Sequence, residues 1–204
     1  MRPSGLMIDM DGTIYKGGNV IPGAQEFINS LIKEGIPFVF LTNNSSHTRE
    51  YYYDKLRKMG FQIDKGRILT STIATVRFIK ERRAGKRVYV IATPDVAKEI
   101  EGSGIESSED DPEIVLLTFD RTITFDKINK AYRFIMNGAE LIATHPDDLC
   151  PTEDSYDVDI GQFIRMLSFL TGTEPTIIGK PSGLMLEMAA GEMGVEKENT
   201  MMVG

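Results

Sequence analysis

Short, nearly continuous apolar runs alternate along the chain with longer stretches in which apolar residues recur every three or four positions. The first run, Leu6-Met7-Ile8, predicts a strand over 6–9. A helix follows, opened by Pro22, with Ala24, Phe27, Ile28, Leu31 and Ile32 on one stripe and Gly35 at its end. Phe38-Val39-Phe40-Leu41 is apolar throughout and predicts a strand over 37–41 buried on both faces, as in a central parallel strand. A helix over about 48–59, closed by Gly60, completes a βαβα pattern. Strands over 87–92, 114–119 and 141–144 continue the alternation, with a helix starting at Thr93-Pro94 and two more carrying the stripes Ile128, Ala131, Tyr132, Ile135 and Ile160, Phe163, Ile164, Leu167. A long polar loop is expected between 144 and 160. The end repeats the opening: a strand over 176–178, a loop over 179–182, a helix to about 193 and a strand over 200–203. The predicted class is α/β with parallel sheets.

Composition narrows the functions such a fold could serve. The net charge of -7 and pI near 5.0 argue against a nucleic-acid polymer as partner, which would need clustered Lys and Arg. The one basic run, Glu81 to Arg87, breaks at Gly85 and reads as a solvated helix end, and the acidic stretch 106–113 reads as a solvated loop. A single cysteine, Cys150, excludes an internal disulfide. No apolar run reaches the ~20 residues of a membrane span, and the N-terminus has no signal-peptide core, so a cytoplasmic setting away from the membrane is expected.

Candidate chemistry sits where apolar strands end. Asp9 and Asp11, two residues apart in Asp9-Met10-Asp11-Gly12-Thr13, can both point into one site. One carboxylate of such a pair can attack phosphorus while the other moves a proton, and both suit Mg2+. Thr42-Asn43-Asn44-Ser45-Ser46 offers a hydroxyl, two amides and backbone N–H groups to phosphate oxygens. Lys180, in Gly179-Lys180-Pro181-Ser182, can meet both a phosphoryl oxygen and Asp9. Each segment also has an ordinary reading: a polar turn, a helix-capping loop, a surface lysine. Together they fall at the C-terminal ends of parallel strands, where open α/β folds bind ligands.

These three segments, in this order, resemble motifs one to three of the haloacid dehalogenase (HAD) superfamily of phosphatases. With Ala143-Thr144-His145-Pro146-Asp147 and Cys150-Pro151-Thr152-Glu153-Asp154, the chain is similar to the NagD-like, p-nitrophenyl phosphatase branch. The resemblance implies a Rossmann-like core over 1–82 and 173–204 with an inserted α/β cap over 83–172. The 138 positions from Thr42 to Lys180 leave room for that insertion, being far more than the ~30 residues of one βαβ unit. It further implies hydrolysis of small phosphate monoesters, such as sugar phosphates, nucleotides or p-nitrophenyl phosphate, through an aspartyl-phosphate. In that scheme Asp9 is nucleophile and Mg2+ ligand, and Asp11 is general acid and base, its backbone carbonyl being a further Mg2+ ligand. Thr42, Asn43, Asn44 and Lys180 bind the phosphoryl group, Lys180 also countering its charge, while His145 and Asp147 face the leaving group. Pairing of caps into a homodimer is a further expectation of the resemblance.

One departure stands against it. The family's fourth motif is an acidic residue just after the strand that here reads Met201-Met202-Val203-Gly204, so the C-terminal part of the core is expected to be missing from these 204 residues. Were that residue truly absent, the alternative is a non-catalytic HAD-fold protein that binds phosphate or a partner. A phospho-acceptor receiver domain fits less well because of the long insertion. A dinucleotide fold fits least, since Gly102-Ser103-Gly104 lacks a third glycine.

Overall fold

The computed structural model describes residues 3–152 and 154–204; Met1 and Arg2 of the expected core, and Glu153 of the quoted motif, lie outside them. Among the described residues the first part of the chain forms β1 (Gly5–Asp9), the small hairpin β2 (Tyr15–Lys16) and β3 (Asn19–Val20), α1 (Ala24–Glu34), β4 (Phe38–Thr42), α2 (Arg49–Lys58), β5 (Ile68–Thr70) and α3 (Ser71–Arg82). The middle forms β6 (Val88–Ile91), α4 (Pro94–Gly102), β7 (Ile114–Leu117), α5 (Phe125–Met136), β8 (Glu140–Ala143), the hairpin β9 (Leu149–Pro151) and β10 (Tyr156–Val158), and α6 (Ile160–Thr171). Then come β11 (Thr176–Ile177), α7 (Gly183–Met193) and β12 (Thr200–Val203).

Two four-stranded parallel sheets result, in the orders β12-β1-β4-β5 and β11-β8-β7-β6. The apolar runs occupy the central places, as burial on both faces requires: β4 and β7 are buried at every position. Alternate residues then separate to two faces. Leu6, Ile8, Phe38 and Phe40 pack with Ile28 and Leu31 of α1 and with Tyr52 and Leu56 of α2. Met7, Val39 and Leu41 pack on the other face with α3 and α7, in a core that runs on to Val88, Ile114, Leu116 and Ile142 of the second sheet and to α4. The far face of the second sheet, with Tyr89, Val115, Leu117 and Leu141, is covered by α5 and α6. Two sheets thus share one apolar layer, which fixes how their loops meet.

Three features depart from the sequence-based expectation. β11, expected to belong with the first sheet, instead forms the edge of the second, pairing Thr176 with Ile142 and Ile177 with Ala143. Backbone bonds from Ile178 and Gly179 to Ala143 and Thr144 extend that pairing. β5 and the body of α3 follow α2 where the sequence signals only a solvated helix end near Glu81. The loop between 144 and 160 carries the hairpin β9–β10.

Candidate active site

The register of the first sheet decides what stands at its C-terminal end. Asp9 lies beside Leu41, which brings Thr42 alongside the loop that leaves β1, and on the other flank Ile8 pairs with Val203. Gly204 comes next to Asp9: a Cβ at Gly204 would lie 3.5 Å from that of Asp9. Lys180, arriving from the loop after β11, donates through Nζ to Asp9 Oδ1. Both side chains are partly exposed, so this pair opens onto solvent and a ligand.

The loop after β4 is shaped by its own side chains. Thr42 Oγ1 accepts from Asn44 N at 3.1 Å. Asn44 Oδ1 accepts from Ser46 N and Ser46 Oγ at 3.0 and 2.7 Å, and the buried Tyr52 hydroxyl holds Asn44 O at 3.0 Å. Asn43 joins three loops. Its Oδ1 accepts from Lys180 N at 2.8 Å, and its Nδ2 donates to Lys180 O at 2.9 Å and to Asp147 Oδ1 and Oδ2 at 3.2 and 3.1 Å. Gly179 makes this approach possible, since a Cβ there would lie 2.5 Å from Thr144 O and 2.7 Å from Asn43 Oδ1.

Asp9, Asp11, Thr42, Asn43, Asn44, Asp147 and Lys180 are therefore brought to one cleft of about 450 Å³. Its opposite wall is Leu149, Cys150 and Pro151 of the hairpin, with Asp159 beyond. His145 is not in that wall. It is fully buried behind it, bonded through Nε2 to Asp159 Oδ1 at 3.0 Å and through Nδ1 to Thr144 Oγ1 at 3.1 Å. Asp159 also caps α6, accepting from Ile160 N at 2.6 Å. Donor atoms of His145, Asp147 and Asp159 come within 4.8 Å of one another, but the histidine–Asp159 bond and the Asn43 amide already engage them.

The electrostatics divide the two carboxylates found by sequence. Asp9 has Lys180 as counter-charge. Asp11 has Tyr15 Oη donating to Oδ2 at 3.0 Å, and Lys55 Nζ at 4.0 Å from Oδ1. Although 44% of its side chain is exposed, loss of water on its protein side raises the Asp11 carboxyl above the ordinary value, against the opposing pull of Lys55 and Tyr15. Burial pushes the Cys150 thiol to about 11, with Asp159 adding to the rise. Tyr15, Lys55 and Asp159 were not singled out in the sequence; the only local signal was the glycine turn that returns Tyr15 toward Asp11.

For a divalent cation, the donors at the end of β1 are the Asp9 carboxylate and backbone carbonyls, that of Asp11 among them. An all-oxygen set of this kind fits a hard ion such as Mg2+. Among the described residues no helix is long and apolar enough to cross a membrane.

A family model for haloacid dehalogenase-like hydrolases matches residues 6–106. The chain is 34% identical over 200 residues to the 5'-nucleotidase YutF of Bacillus subtilis, covering 98% of this chain and 78% of that protein. It is 33% identical over 199 residues to an acid sugar phosphatase of Staphylococcus epidermidis, covering 97% and 77%. The crystal structure of a 4-nitrophenylphosphatase from Thermotoga maritima superposes with a TM-score of 0.93 at 34% identity, covering 98% of this chain and 77% of that one. With sequence and fold agreeing over almost its whole length, the chain belongs to the haloacid dehalogenase-like hydrolases, in the NagD-like, p-nitrophenyl phosphatase branch, and is a phosphatase.

Proposed function

We propose that the protein hydrolyses small phosphate monoesters in two steps through an aspartyl-phosphate on Asp9. The observation that carries this reading is the Asp9–Lys180 pair at the end of β1, with the Thr42 hydroxyl and the second carboxylate, Asp11, in the same cleft. In the first step an Asp9 oxygen bonds to phosphorus and the ester P–O bond breaks; the proton of the Asp11 carboxyl passes to the leaving oxygen. The raised proton affinity of Asp11 suits a group that begins this step protonated. In the second step Asp11, now a carboxylate, takes a proton from water as that water attacks phosphorus. The P–O bond to Asp9 then breaks and inorganic phosphate leaves.

A carboxylate attacking a phosphate dianion must overcome like-charge repulsion. Lys180 would offset it, with the Thr42 hydroxyl and the second N–H of the Asn44 side-chain amide, whose first meets Cys150 Sγ at 3.5 Å, as donors at the phosphoryl end. Asn43 acts through its neighbours, fixing Lys180 and Asp147 against the loop after β4. Mg2+, which the Asp9 carboxylate and the Asp11 backbone carbonyl would hold, would supply positive charge beside the phosphoryl group. The second sheet and its hairpin serve as the cap, and Leu149, Cys150, Pro151 and Asp147 form the wall against the leaving group. His145 supports that wall from behind by orienting Asp159.

The test is phosphate release from p-nitrophenyl phosphate with and without Mg2+, with Asp9→Asn as the blank, joined to acid-quench trapping of the phosphorylated chain. A Mg2+-dependent rate and a trapped acyl phosphate, both lost in the variant, are expected. Turnover that survives in folded Asp9→Asn would overturn the mechanism.

A further inference from the structure

Tyr15 is fully buried, yet its hydroxyl leaves the core to reach one of the most exposed carboxylates of the cleft. The turn that allows this is tight. Met10 O accepts from Thr13 N and Ile14 N at 3.2 and 3.1 Å, and Gly12, at φ 84°, donates its N–H to Tyr15 O at 2.8 Å. Asp11 and Tyr15 are thereby paired across the turn. From α2, Lys55 lays its ammonium 3.8 Å from the centroid of the Tyr15 ring and 4.0 Å from Asp11 Oδ1. Neither Tyr15 nor Lys55 lines the cleft.

A buried tyrosine needs a partner for its hydroxyl, and a backbone carbonyl would serve, as Asn44 O serves Tyr52. At Tyr15 the partner is instead the side chain whose placement matters most to proton transfer. Asp11 stands on a glycine turn, where without support its carboxyl would sample several rotamers. A proton donor must be held close to its target geometry to be effective.

We propose that Tyr15 is a positioning residue for the general acid. Its O–H bond to Oδ2 fixes the Asp11 carboxyl, so that the other oxygen, Oδ1, carries the proton delivered to the leaving group, and Lys55 clamps the ring from α2. Tyr15 stays neutral and transfers nothing itself. The inference rests on the two-step hydrolysis above.

Its signature is a dependence on the leaving group. An alkoxide must receive a proton as the P–O bond breaks, whereas p-nitrophenolate is a stable anion that needs little help. The experiment measures kcat/KM, which reports the first step, for p-nitrophenyl phosphate and for glycerol phosphate in wild type, Tyr15→Phe, Lys55→Met, Asp11→Asn and the Tyr15→Phe/Asp11→Asn double variant. Tyr15→Phe keeps the ring and its contact with Lys55, and thermal melting checks its fold. Because general acid catalysis contributes ~10²–10⁴-fold, Tyr15→Phe should lower kcat/KM for glycerol phosphate by ~10–100-fold, and for the nitrophenyl ester at least tenfold less. Lys55→Met should give the same split at smaller size, and would carry the test if Tyr15→Phe failed to fold. In the Asp11→Asn background the selective loss should vanish. Equal losses on both esters, or an undiminished selective loss without the Asp11 carboxyl, would overturn the proposal. Failure of wild type to hydrolyse either ester would instead overturn the hydrolytic reading, and this inference with it.

Discussion

One methyl group, added as Gly179→Ala, should separate the packing of the site from its chemistry. A Cβ at that position would lie 2.5 Å from Thr144 O, 2.7 Å from Asn43 Oδ1 and 3.0 Å from His145 Cβ. Side-chain carbons essentially never come within 3.0 Å of such atoms, so the first contact alone requires a shift of at least 0.5 Å. The chain cannot give way cheaply, because Thr144 O also accepts the Gly179 N–H at 2.8 Å. Overpacking of this kind costs ~1–3 kcal/mol, and at ~2–4 °C per kcal/mol for a chain of this size the melting temperature should fall by ~2–12 °C. The push on Asn43 Oδ1 carries to Lys180, whose backbone N–H it accepts, and from there to Asp9. Since ~1 Å of misplacement costs ~100-fold in rate, kcat/KM on p-nitrophenyl phosphate should drop by ~10–100-fold. Gly66→Ala is the control: nothing lies within 4 Å of its Cβ and it is far from the cleft, so it should melt and turn over like wild type. If Gly179→Ala matched wild type within 1 °C and about twofold in rate, close packing of the three loops would not be what positions Lys180.

Two further expectations concern pH. Glu99 accepts from Arg49 N at 2.9 Å through Oε1, while its buried Oε2 has no hydrogen-bond partner among the described residues, and burial raises its carboxyl above the ordinary value against the Arg49 bond. The folded chain then binds this proton more tightly than the unfolded chain, so the contribution is present below the ordinary carboxylate pKa and is lost as pH rises through the raised one. Glu99→Gln keeps an acceptor for Arg49 and should flatten that part of the curve, melting higher than wild type at pH 8 but not at pH 4; superimposable melting curves would contradict the sign. Cys150, with its thiol raised from 9.0 to about 11, should react with iodoacetamide at pH 7 about 100-fold more slowly than a cysteine of ordinary pKa, by its smaller thiolate fraction. Vanadate in the cleft should slow it again, and alkylation at the rate of an ordinary thiol would show the residue to be better solvated than its place in the wall allows.

The residues that sequence located and those it did not differ in what holds them. Asp9 and Thr42 each stand just beyond an apolar run buried in one sheet, so their meeting follows once β1 and β4 are parallel neighbours; Lys180 also follows an apolar run, but it reaches Asp9 from the edge of the other sheet. α3 sends no comparable signal. Lying in the apolar layer that the two sheets share, it buries Thr72, Ala74, Thr75, Val76, Phe78 and Ile79 in near succession, which erases the one-sided stripe by which a helix is recognised. The hairpin β9–β10 fails for the opposite reason: none of its positions is fully buried, so no alternation marks it, and its place is set by the cleft it covers. His145 shows the same limit within the site. Its neighbours Pro146 and Asp147 announce a polar turn, yet the ring turns inward to Thr144 and Asp159, because Asp159 is committed to the start of α6 and offers a buried acceptor at a sequence distance no local pattern spans. Which of two adjacent polar side chains meets the ligand and which supports it from behind is decided by partners more than ten residues away. For that reason the supporting residues Tyr15, Lys55 and Asp159, and the supporting part played by Asn43, emerged only with the fold.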